Sequence, residues 1–431
     1  MTSPQDPIAA VPKSPPAKWS MAIIGAGPAG LALALQAATA LPQTHITVFD
    51  ARPADKDISQ DPRTLALSLG SVQELQRMGL WSTVEADQQV APIRAVHVSQ
   101  QQPTVLWPGQ DQPQVVISAA EQGQPQLGAV ASYGTLVAPM QTAWVQATER
   151  DPQRLQMRFG TPVKGLKPLP NGGVEVDAEI AEPFDLVVVA EGGVFAGQPS
   201  LQWPQGLSRD YEQTAWVGQV LLTDADEDGV AYERFTPSGP AALLPLTRGS
   251  VVPGGPVGRR AALVWCVQRE DDPVRELNEA QRLVVLNSIF HPRVGVIEQL
   301  SPLKAFPLGL NAHRRLVSEG SVVRIGNAAQ TLHPVAGQGF NLSLRDVREL
   351  VNALRSASVG DQVDVATALR RFERRRQPDR WALIAGTDVL ARSFTWPAPI
   401  LATARGLALG AMQALGPVKR KLARTMMFGL R

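Results

Sequence analysis

The chain has 431 residues, of which 44% are hydrophobic and 19% charged, with a formal net charge of +2. This composition excludes a largely disordered or fibrous protein, and the length is enough for two or three domains. One cysteine, Cys266, excludes a disulfide framework and fits a reducing compartment. The chain has no uncharged apolar run of about 18 residues, the length that a membrane-spanning helix needs. We therefore expect a cytoplasmic protein.

The first residues are rich in proline and lack the apolar stretch of a signal peptide. Residues 1–18 are therefore predicted to form a flexible arm. An apolar run, Trp19–Ile24, then leads into the glycine motif GAGPAG at residues 25–30, an Ala/Leu-rich helical stretch to Ala40, and a β-branched run, His45–Asp50. Strand, glycine turn, helix, strand and terminal acid follow the order of a dinucleotide-binding βαβ unit.

The spacing of the three glycines has a steric reason. Gly25 permits a tight turn, Gly27 lets a pyrophosphate approach the backbone, and Gly30 lets the helix pack closely on the strand. The phosphates would lie on free N–H groups at the helix start, and Asp50 would accept hydrogen bonds from ribose hydroxyls. The alternative is a purely structural turn, and the motif by itself does not separate NAD from FAD.

Further along the chain, two kinds of strand alternate. Near-continuous valine and isoleucine runs at 185–190 and 321–325 fit parallel strands covered on both faces. Short runs between Gly, Pro and Asp clusters indicate an inserted, mostly antiparallel sheet: 93–99, 211–223, 230–235, 241–246 and 261–268. We predict an α/β protein: a Rossmann-like dinucleotide-binding domain (19–91, 125–200 and 306–390), an inserted, mostly antiparallel β-sheet substrate domain (92–124 and 201–305) and a C-terminal helical tail (391–431).

A second glycine loop lies at residues 326–341. Asn327 directly follows a predicted buried strand, and Gly337-Gln338-Gly339 precedes a helix predicted to begin near Asn341. Free N–H groups at that helix start would stabilise negative charge, which a reduced flavin carries. An ordinary glycine turn is the alternative.

Three motifs in order are similar to the group A flavoprotein aromatic monooxygenases: GAGPAG (25–30), VVVAEGG (187–193) and GNAAQ…HP…GQGFN (326–341). More narrowly, over about residues 20–395, the chain resembles the ubiquinone-biosynthesis hydroxylases. DPRTLALS (61–68) and ERFTPSGP (233–240) support this resemblance. Asn327 and Gln330 resemble the 2-polyprenyl-6-methoxyphenol hydroxylase branch, because sister branches usually have Asp and His there.

The resemblance implies FAD contacts at the following residues: Gly25, Gly27, Gly30, Asp50, Arg52, Arg63, Glu191, Gly192, Asn327, Pro334, Gly337, Gln338, Gly339, Phe340 and Asn341. Arg63 would approach the flavin and the nicotinamide path, and Asn327 would bind the ribityl chain. Where the family usually has Asp-Gly, this chain has Glu191-Gly192. No catalytic residue is assigned; for His333 a proton-transfer role and a structural hydrogen bond are the alternatives.

The activity that the resemblance implies is FAD-dependent hydroxylation of an aromatic ring, with NAD(P)H as reductant and O₂ and a polyprenyl phenol as substrates. The apolar walls of the substrate site are expected from the inserted sheet: Val217, Val220, Phe235, Leu243 and Trp265. The alternatives are hydroxylation at another ring position or of another phenol, and a non-catalytic assembly subunit that keeps the fold.

The tail differs in charge from the rest of the chain. Residues 389–431 contain seven basic residues and no acidic one, whereas the rest contains 34 basic and 39 acidic residues. Apolar residues recur at helical spacing from Ile400 to Leu415, before a basic cluster at 419–424. Peripheral contact with the inner face of the membrane, a contact with a biosynthetic partner, and packing on the body are the alternatives.

Two other signals carry no function. The arginine-rich segment 370–376 is predicted to be a solvated helix face, because no stacking aromatics and no known nucleic-acid-binding module accompany it, so no nucleic-acid partner is expected. The five histidines and one cysteine show no metal-ligand spacing, so no metal is expected.

Overall fold

The structure is a computed structural model that describes residues 19–86, 89–102, 113–191, 206–223, 228–318, 321–359, 362–393 and 399–430. The predicted arm at residues 1–18 and the predicted cofactor residue Gly192 lie outside these ranges.

The strands, numbered in chain order, are β1 (Trp19–Ile24), β2 (Thr44–Asp50), β3 (Thr64–Ser68), β4 (Ala91–Ile93), β5 (Ala95–Gln100), β6 (Gln114–Ser118), β7 (Gly128–Ser132), β8 (Leu155–Phe159), β9 (Gly165–Pro168), β10 (Val174–Asp177), β11 (Ala181–Phe184), β12 (Leu186–Val189), β13 (Gly206–Thr223), β14 (Val230–Thr236), β15 (Gly239–Gly249), β16 (Gly258–Gln268), β17 (Val296–Leu300), β18 (Lys304–His313), β19 (Val317–Ser318), β20 (Val322–Arg324), β21 (Gln330–Thr331), β22 (Ser358–Val359) and β23 (Gln362–Val363). The helices are α1 (Pro28–Ala40), α2 (Leu69–Arg77), α3 (Trp81–Ala86), α4 (Tyr133–Arg150), α5 (Glu279–Ile289), α6 (Gly339–Ser356), α7 (Val365–Ser393), α8 (Pro399–Ala414) and α9 (Gly416–Phe428).

The first glycine turn lies at the end of β1, in a six-stranded sheet with the strand order β19-β20-β12-β1-β2-β8. β1 lies parallel to both of its neighbours, with Ile23 opposite Val48 on β2 and Val188 on β12. The strands are covered on both faces, which is why they consist of continuous apolar runs. The predicted Rossmann-like arrangement is confirmed.

The second large sheet has nine strands, with the order β21-β18-β13-β16-β15-β14-β5-β6 and with β17 paired to β13. Its neighbours are antiparallel except for the parallel pair β14 and β5. One predicted boundary is corrected. Residues 306–313, expected in the FAD-binding domain, belong to β18, which pairs with β13 in this sheet. The apolar alternation of 304–313 fits either sheet, so the sequence did not determine the choice.

The nine-stranded sheet has two unlike faces, because successive side chains of a strand point to opposite sides. On the side that we call the helix-covered face, Trp265, Leu263 and Val220 pack with α5 into one hydrophobic cluster. On the opposite side, which we call the cofactor face, Cys266 and Ala215 pack with Ile384 of α7. The cofactor face is turned toward the second glycine loop, since Phe235 on that face contacts Val335.

The C-terminal helices pack on the body at the β6 edge of the sheet. The Gln413 side-chain oxygen accepts a hydrogen bond from the Val116 N–H at 3.0 Å, and Ala423 and Met427 are buried. Lys419, predicted as part of the basic cluster, is turned inward and pairs with Glu121 at 3.1 Å. Among the described residues, no helix has the length and apolar character needed to cross a membrane.

The arginine-rich segment lies on α7 and only partly forms the predicted solvated face. Arg370, Arg374 and Arg375 are exposed. Arg376 is instead buried, with its guanidinium 2.7 Å from the carboxylates of both Asp346 and Asp379. The helical period explains the difference, because Arg376 lies one turn from Phe372 and Arg380 on the inward face.

Candidate functional site

The first glycine turn leaves no room for side chains at two of its three glycines. Gly25 has a φ of +103°, and a Cβ there would lie 2.9 Å from the Glu191 Cα. A Cβ on Gly30 would lie 1.9 Å from the Gly25 carbonyl oxygen. Both positions therefore require glycine for the fold itself, as the sequence motif predicts.

Gly27 differs from its two neighbours, because no heavy atom lies within 4 Å of the position that a Cβ would occupy. It caps the N-terminus of α1, where Pro28 is the first helical residue. The first N–H groups of a helix have no partner within it and attract anions. The open space over Gly27 therefore fits the pyrophosphate of a dinucleotide.

Asp50 and Arg52 hold the turn from the neighbouring strand. The Asp50 carboxylate accepts hydrogen bonds from the Ala26 N–H at 2.6 Å and from the Arg52 N–H at 2.7 Å. The Arg52 guanidinium donates to Asp50 at 3.1 Å and to the Ala26 carbonyl at 2.8 Å. The predicted acid thus lies at the turn and shapes it through these bonds; ribose binding by Asp50 stays a prediction.

The second glycine loop rests on the first helix. Gly326 has a φ of +60°, and a Cβ there would lie 3.1 Å from the Ala29 Cβ of α1. Asn327, the next residue, is exposed. Helix α6 begins at Gly339, and here too no heavy atom lies within 4 Å of where a Cβ would be. Two open helix starts, at Gly27 and Gly339, therefore lie in adjacent segments, as a cofactor with a pyrophosphate and a charge-bearing ring requires.

Asn341 has a structural task that the sequence did not indicate. Its side-chain oxygen accepts from the Ser68 N–H at 2.8 Å and from the Ser71 hydroxyl at 2.7 Å. Its amide nitrogen donates to the carbonyls of Ala66 and Gly337, both at 3.0 Å. Three bonds of this buried amide tie β3 and α2 to the loop and the fourth stays within the loop, so only the backbone of Asn341 is available for a cofactor.

The other predicted cofactor residues of this loop differ in exposure. Pro334 is exposed, Gly337 and Phe340 are half-buried, and Gln338 is buried. Gly337 has a φ of +58°, and a Cβ there would lie 3.0 Å from the Ala66 Cβ. Gly337 is therefore required by the turn, whereas Pro334 and Phe340 present surface at the site.

Two charged residues flank the first turn. Arg63 is exposed, pairs with Asp61 at 2.7 Å and lies over the Tyr133 ring at 4.1 Å. Glu191 follows β12, with its backbone directly against Gly25. Its side chain reaches the surface, yet the surrounding protein and then the charge of Asp50 raise the pKa of Glu191. The structure thus brings Glu191 to the first glycine turn, as the sequence predicts.

His333 has the structural role that was one of the two alternatives. The Val335 N–H donates to its Nδ1 at 3.2 Å, and its Nε2 lies 3.0 Å from the Gln213 side-chain oxygen. These contacts fit a neutral imidazole that carries its proton on Nε2. Burial lowers the pKa of His333 to about 4. The ring therefore ties the cofactor loop to β13 and is not poised to exchange a proton near neutral pH.

A buried polar network lies behind the loop, and no pattern in the sequence indicated it. Arg380 is fully buried and donates to the Gln330 side-chain oxygen at 2.6 Å and to the Ala329 carbonyl at 3.1 Å. Gln330 in turn donates to Asp346 on α6 at 3.2 Å. The network fixes the segment that carries Asn327. Gln330 itself therefore acts on the site through the loop. Across the described part of the chain, no three His, Cys, Asp or Glu side chains are grouped closely enough to hold a metal ion.

The cofactor face of the nine-stranded sheet carries residues that are not fully covered. A row of side chains that are opposite one another on five neighbouring strands is only partly covered, although it lies in the middle of the sheet: Val217, Val264, Ala242, Glu233 and Val98. We call these five residues the central row. Of the predicted apolar walls, Val217 and Phe235 lie on this face. Val220, Leu243 and Trp265 lie on the helix-covered face and are core.

Comparison with known proteins gives consistent relatives. Residues 208–387 match the model of the FAD binding domain family. The chain is 30% identical to the 3-demethoxyubiquinol 3-hydroxylase of Escherichia coli, over 93% of this chain and 96% of that protein. It is 33% identical to the mouse ubiquinone biosynthesis monooxygenase COQ6, mitochondrial, over 51% of each chain.

Solved structures share the fold at low sequence identity. The Klebsiella pneumoniae HpxO structure with FAD and uric acid has a TM-score of 0.68 and 17% identity, covering 95% of this chain and 97% of that chain. The Pseudomonas aeruginosa PqsL structure with 2-aminobenzoylacetate has the same score and identity, covering 90% and 99%. At this identity the likeness establishes the architecture and leaves the substrate open.

Proposed function

Since the chain belongs to the family of FAD-dependent ubiquinone-biosynthesis hydroxylases, we propose that it hydroxylates the aromatic ring of 2-polyprenyl-6-methoxyphenol. The chain is an FAD-dependent monooxygenase of ubiquinone biosynthesis. The observation that carries the substrate proposal is the partly uncovered central row, which is apolar except for Glu233 and lies on the sheet face that contacts the second glycine loop. A prenylated phenol ring needs an apolar surface within reach of the cofactor, and this row supplies one.

The role of this chain's own residues is to bind and orient the cofactor and the phenol and to exclude water from both. FAD, when bound, supplies the activation of O₂, and NAD(P)H is the reductant typical of the family. The N–H groups at the start of α1 would hold the FAD pyrophosphate, and the exposed Asn327 would bind the sugar-like chain. The N–H groups at the start of α6 would stabilise negative charge on the flavin ring. The valine and alanine side chains of the cofactor face would keep water from the flavin ring.

A second candidate substrate is 3-demethoxyubiquinol. It is favoured by the relative from Escherichia coli, which is named for that reaction and matches over nearly its whole length. Asn327, which is exposed at the site, favours the first candidate through its branch resemblance. A non-catalytic assembly subunit is disfavoured by the open space over Gly27 and Gly339, which a protein without cofactor has no reason to keep.

The first experiment is an absorption spectrum of the purified protein, followed by anaerobic addition of NADH or NADPH. We expect flavin absorption bands at about 375 and 450 nm, wavelengths that are a property of the cofactor. Both bands should bleach when the nicotinamide is added. Aerobic incubation with each candidate phenol and mass spectrometry of the product then identifies the ring that gains oxygen. Bands that persist, with no product from either phenol, would contradict the proposed function.

We further propose that the tail places the enzyme on a bilayer that contains anionic lipid. The outward surface of α8 and α9 is apolar and includes Leu407, Leu415 and Val418, which are 47%, 53% and 51% exposed. Arg420, Lys421 and Arg424 are exposed beside it, and the tail contains no acid. Apolar side chains next to cations suit the headgroup layer, where a polyprenyl substrate is found.

A further inference from the structure

Glu233 is the ionisable member of the central row. Cross-strand pairing places it between Ala242 on β15 and Val98 on β5. The next positions along the row are Val264 and Val217. A carboxyl group in the middle of an apolar sheet face is costly unless something compensates for it, so its presence calls for a physical account.

No partner within the protein compensates for this carboxyl. In the ranges that the structure describes, no hydrogen-bond donor or cation pairs with Glu233, although the side chain is half-buried. Burial raises the pKa of Glu233 to about 8. The group is therefore protonated near neutral pH, and a protonated carboxyl can both donate and accept a hydrogen bond.

The surroundings of Glu233 locate it between the cofactor loop and the tail. Phe235, two residues along β14 and on the same face, packs on Val335 of the cofactor loop, and two residues of a strand span only about 7 Å. In the other direction, Ala231, Val96 and Leu244 belong to a cluster that includes Met412 and Phe428 of the tail helices. Apolar side chains therefore continue from the cofactor loop past Glu233 to the tail.

We infer that Glu233 anchors the substrate by exchanging hydrogen bonds with its phenolic hydroxyl, while the valine and alanine side chains of the central row pack on the ring. This inference rests on the proposed function. A phenol, like a protonated carboxyl, carries one donor and an acceptor oxygen, so the two groups satisfy each other. The prenyl chain then follows the apolar surface toward the tail.

The test compares two probes that differ by one hydroxyl group: 2-methoxy-6-prenylphenol and 1-methoxy-3-prenylbenzene. Their dissociation constants are measured by the perturbation of flavin absorbance in the oxidised holoenzyme. The variants are Glu233→Leu and Glu233→Gln, both of which remove a carboxyl that burial disfavours and so are expected to fold. The matched control is Glu298→Gln, an exposed carboxyl of the same sheet.

The wild-type protein and the Glu298→Gln variant should bind the phenol about tenfold more tightly than the probe without the hydroxyl. Glu233→Gln should keep most of this preference, because an amide can also donate and accept. Glu233→Leu should bind the two probes equally. A preference that survives in Glu233→Leu overturns the anchor alone. A flavin-loaded wild-type protein that binds neither probe contradicts the proposed function, and the anchor with it.

Discussion

The two halves of the site are made from different parts of the chain. The phosphate-binding half is made of backbone: Gly27 and Gly339 contribute open space and free N–H groups, whereas a Cβ added at the neighbouring Gly30 would lie 1.9 Å from the Gly25 carbonyl oxygen. The substrate half is made of side chains on one face of a sheet, where five residues from five strands meet. A backbone site should respond to substitution in an all-or-none way, whereas a side-chain site should respond by degrees. Substitutions in each half test that difference.

The largest effect is expected at Gly27. Gly27→Val should lower FAD affinity on the order of 100-fold or more, because the added side chain fills the space over the start of α1 that the pyrophosphate needs. The protein should still fold, since nothing lies within 4 Å of the Cβ position. Flavin content after gel filtration and a fluorescence titration with FAD measure the loss.

The control for Gly27 is Gly386→Val on α7, another glycine whose Cβ position is open but which lies on an exposed helix face. It should retain FAD at the wild-type level. If Gly27→Val retained FAD equally well, the phosphates would have to bind elsewhere, and the contrast between the two halves would be lost.

The same contrast explains how much could be predicted from the sequence. Gly25, Gly27 and Gly30 are adjacent in the chain, so the motif carries the geometry of the turn. The central row joins residues from Val98 to Val264 that are distant in sequence and meet only through strand pairing. The alternation of residues 230–235 does place Glu233 on the same face as Phe235. No feature of the sequence tells which face meets the cofactor.

Other differences between the sequence-based predictions and the structure have similar causes. The inward turn of Arg376 and Lys419 depends on which side of each helix packs on the body, and a basic residue in sequence looks solvated until its partner is known. The same holds for Asn341, whose side-chain oxygen accepts from residues about 270 positions away along the chain. His333 illustrates the reverse case, because its partner Val335 is close in sequence and supports the structural alternative.

Substitutions at two neighbouring residues of β16 should distinguish the packed face of the nine-stranded sheet from the face proposed to bind the phenol. Leu263→Ala should lower the free energy of unfolding by about 3 kcal/mol, because Leu263 is fully buried against the α5 side. Val264→Ala should lower it by less than about 1 kcal/mol, since Val264 is only partly covered. It should instead weaken phenol binding severalfold. Urea unfolding of the holoenzyme and the absorbance titration measure the two effects. Equal stability losses would mean that the central row is core and not a binding surface.

The pH dependence of the free energy of unfolding should report the protonation of the Glu233 carboxyl. The folded-state pKa of Glu233 is raised to about 8, above its unfolded value, so the folded protein binds the extra proton between the two values. Its contribution to stability is therefore lost as pH rises from about 5 to about 8. Glu233→Gln should be more stable than the wild-type protein by on the order of 5 kcal/mol at pH 9 and by almost nothing at pH 4, because each pKa unit corresponds to about 1.4 kcal/mol.

The measurement for Glu233 is the urea midpoint of variant and wild type between pH 4 and pH 9. Because both proteins share every other titrating group, their difference isolates this one. A difference between Glu233→Gln and the wild type that does not change with pH would place the Glu233 carboxyl in water and remove it from the apolar surface of the central row.

The smallest effect is expected at the tail, where the substrate half meets the proposed membrane surface. Lys421→Gln should weaken binding to vesicles of phosphatidylcholine with phosphatidylglycerol about fivefold, because each basic residue near an anionic surface contributes about 1 kcal/mol. Lys164→Gln, an exposed lysine on the body, is the matched control and should change nothing. Since the effect is electrostatic, the difference between the two variants should also shrink as salt is raised from about 0.05 M to about 0.5 M. Co-sedimentation measures both trends. If the two lysine variants bound alike at low salt, the charged tail would not be the bilayer contact, and its exposed leucines would instead mark a docking site for a protein partner.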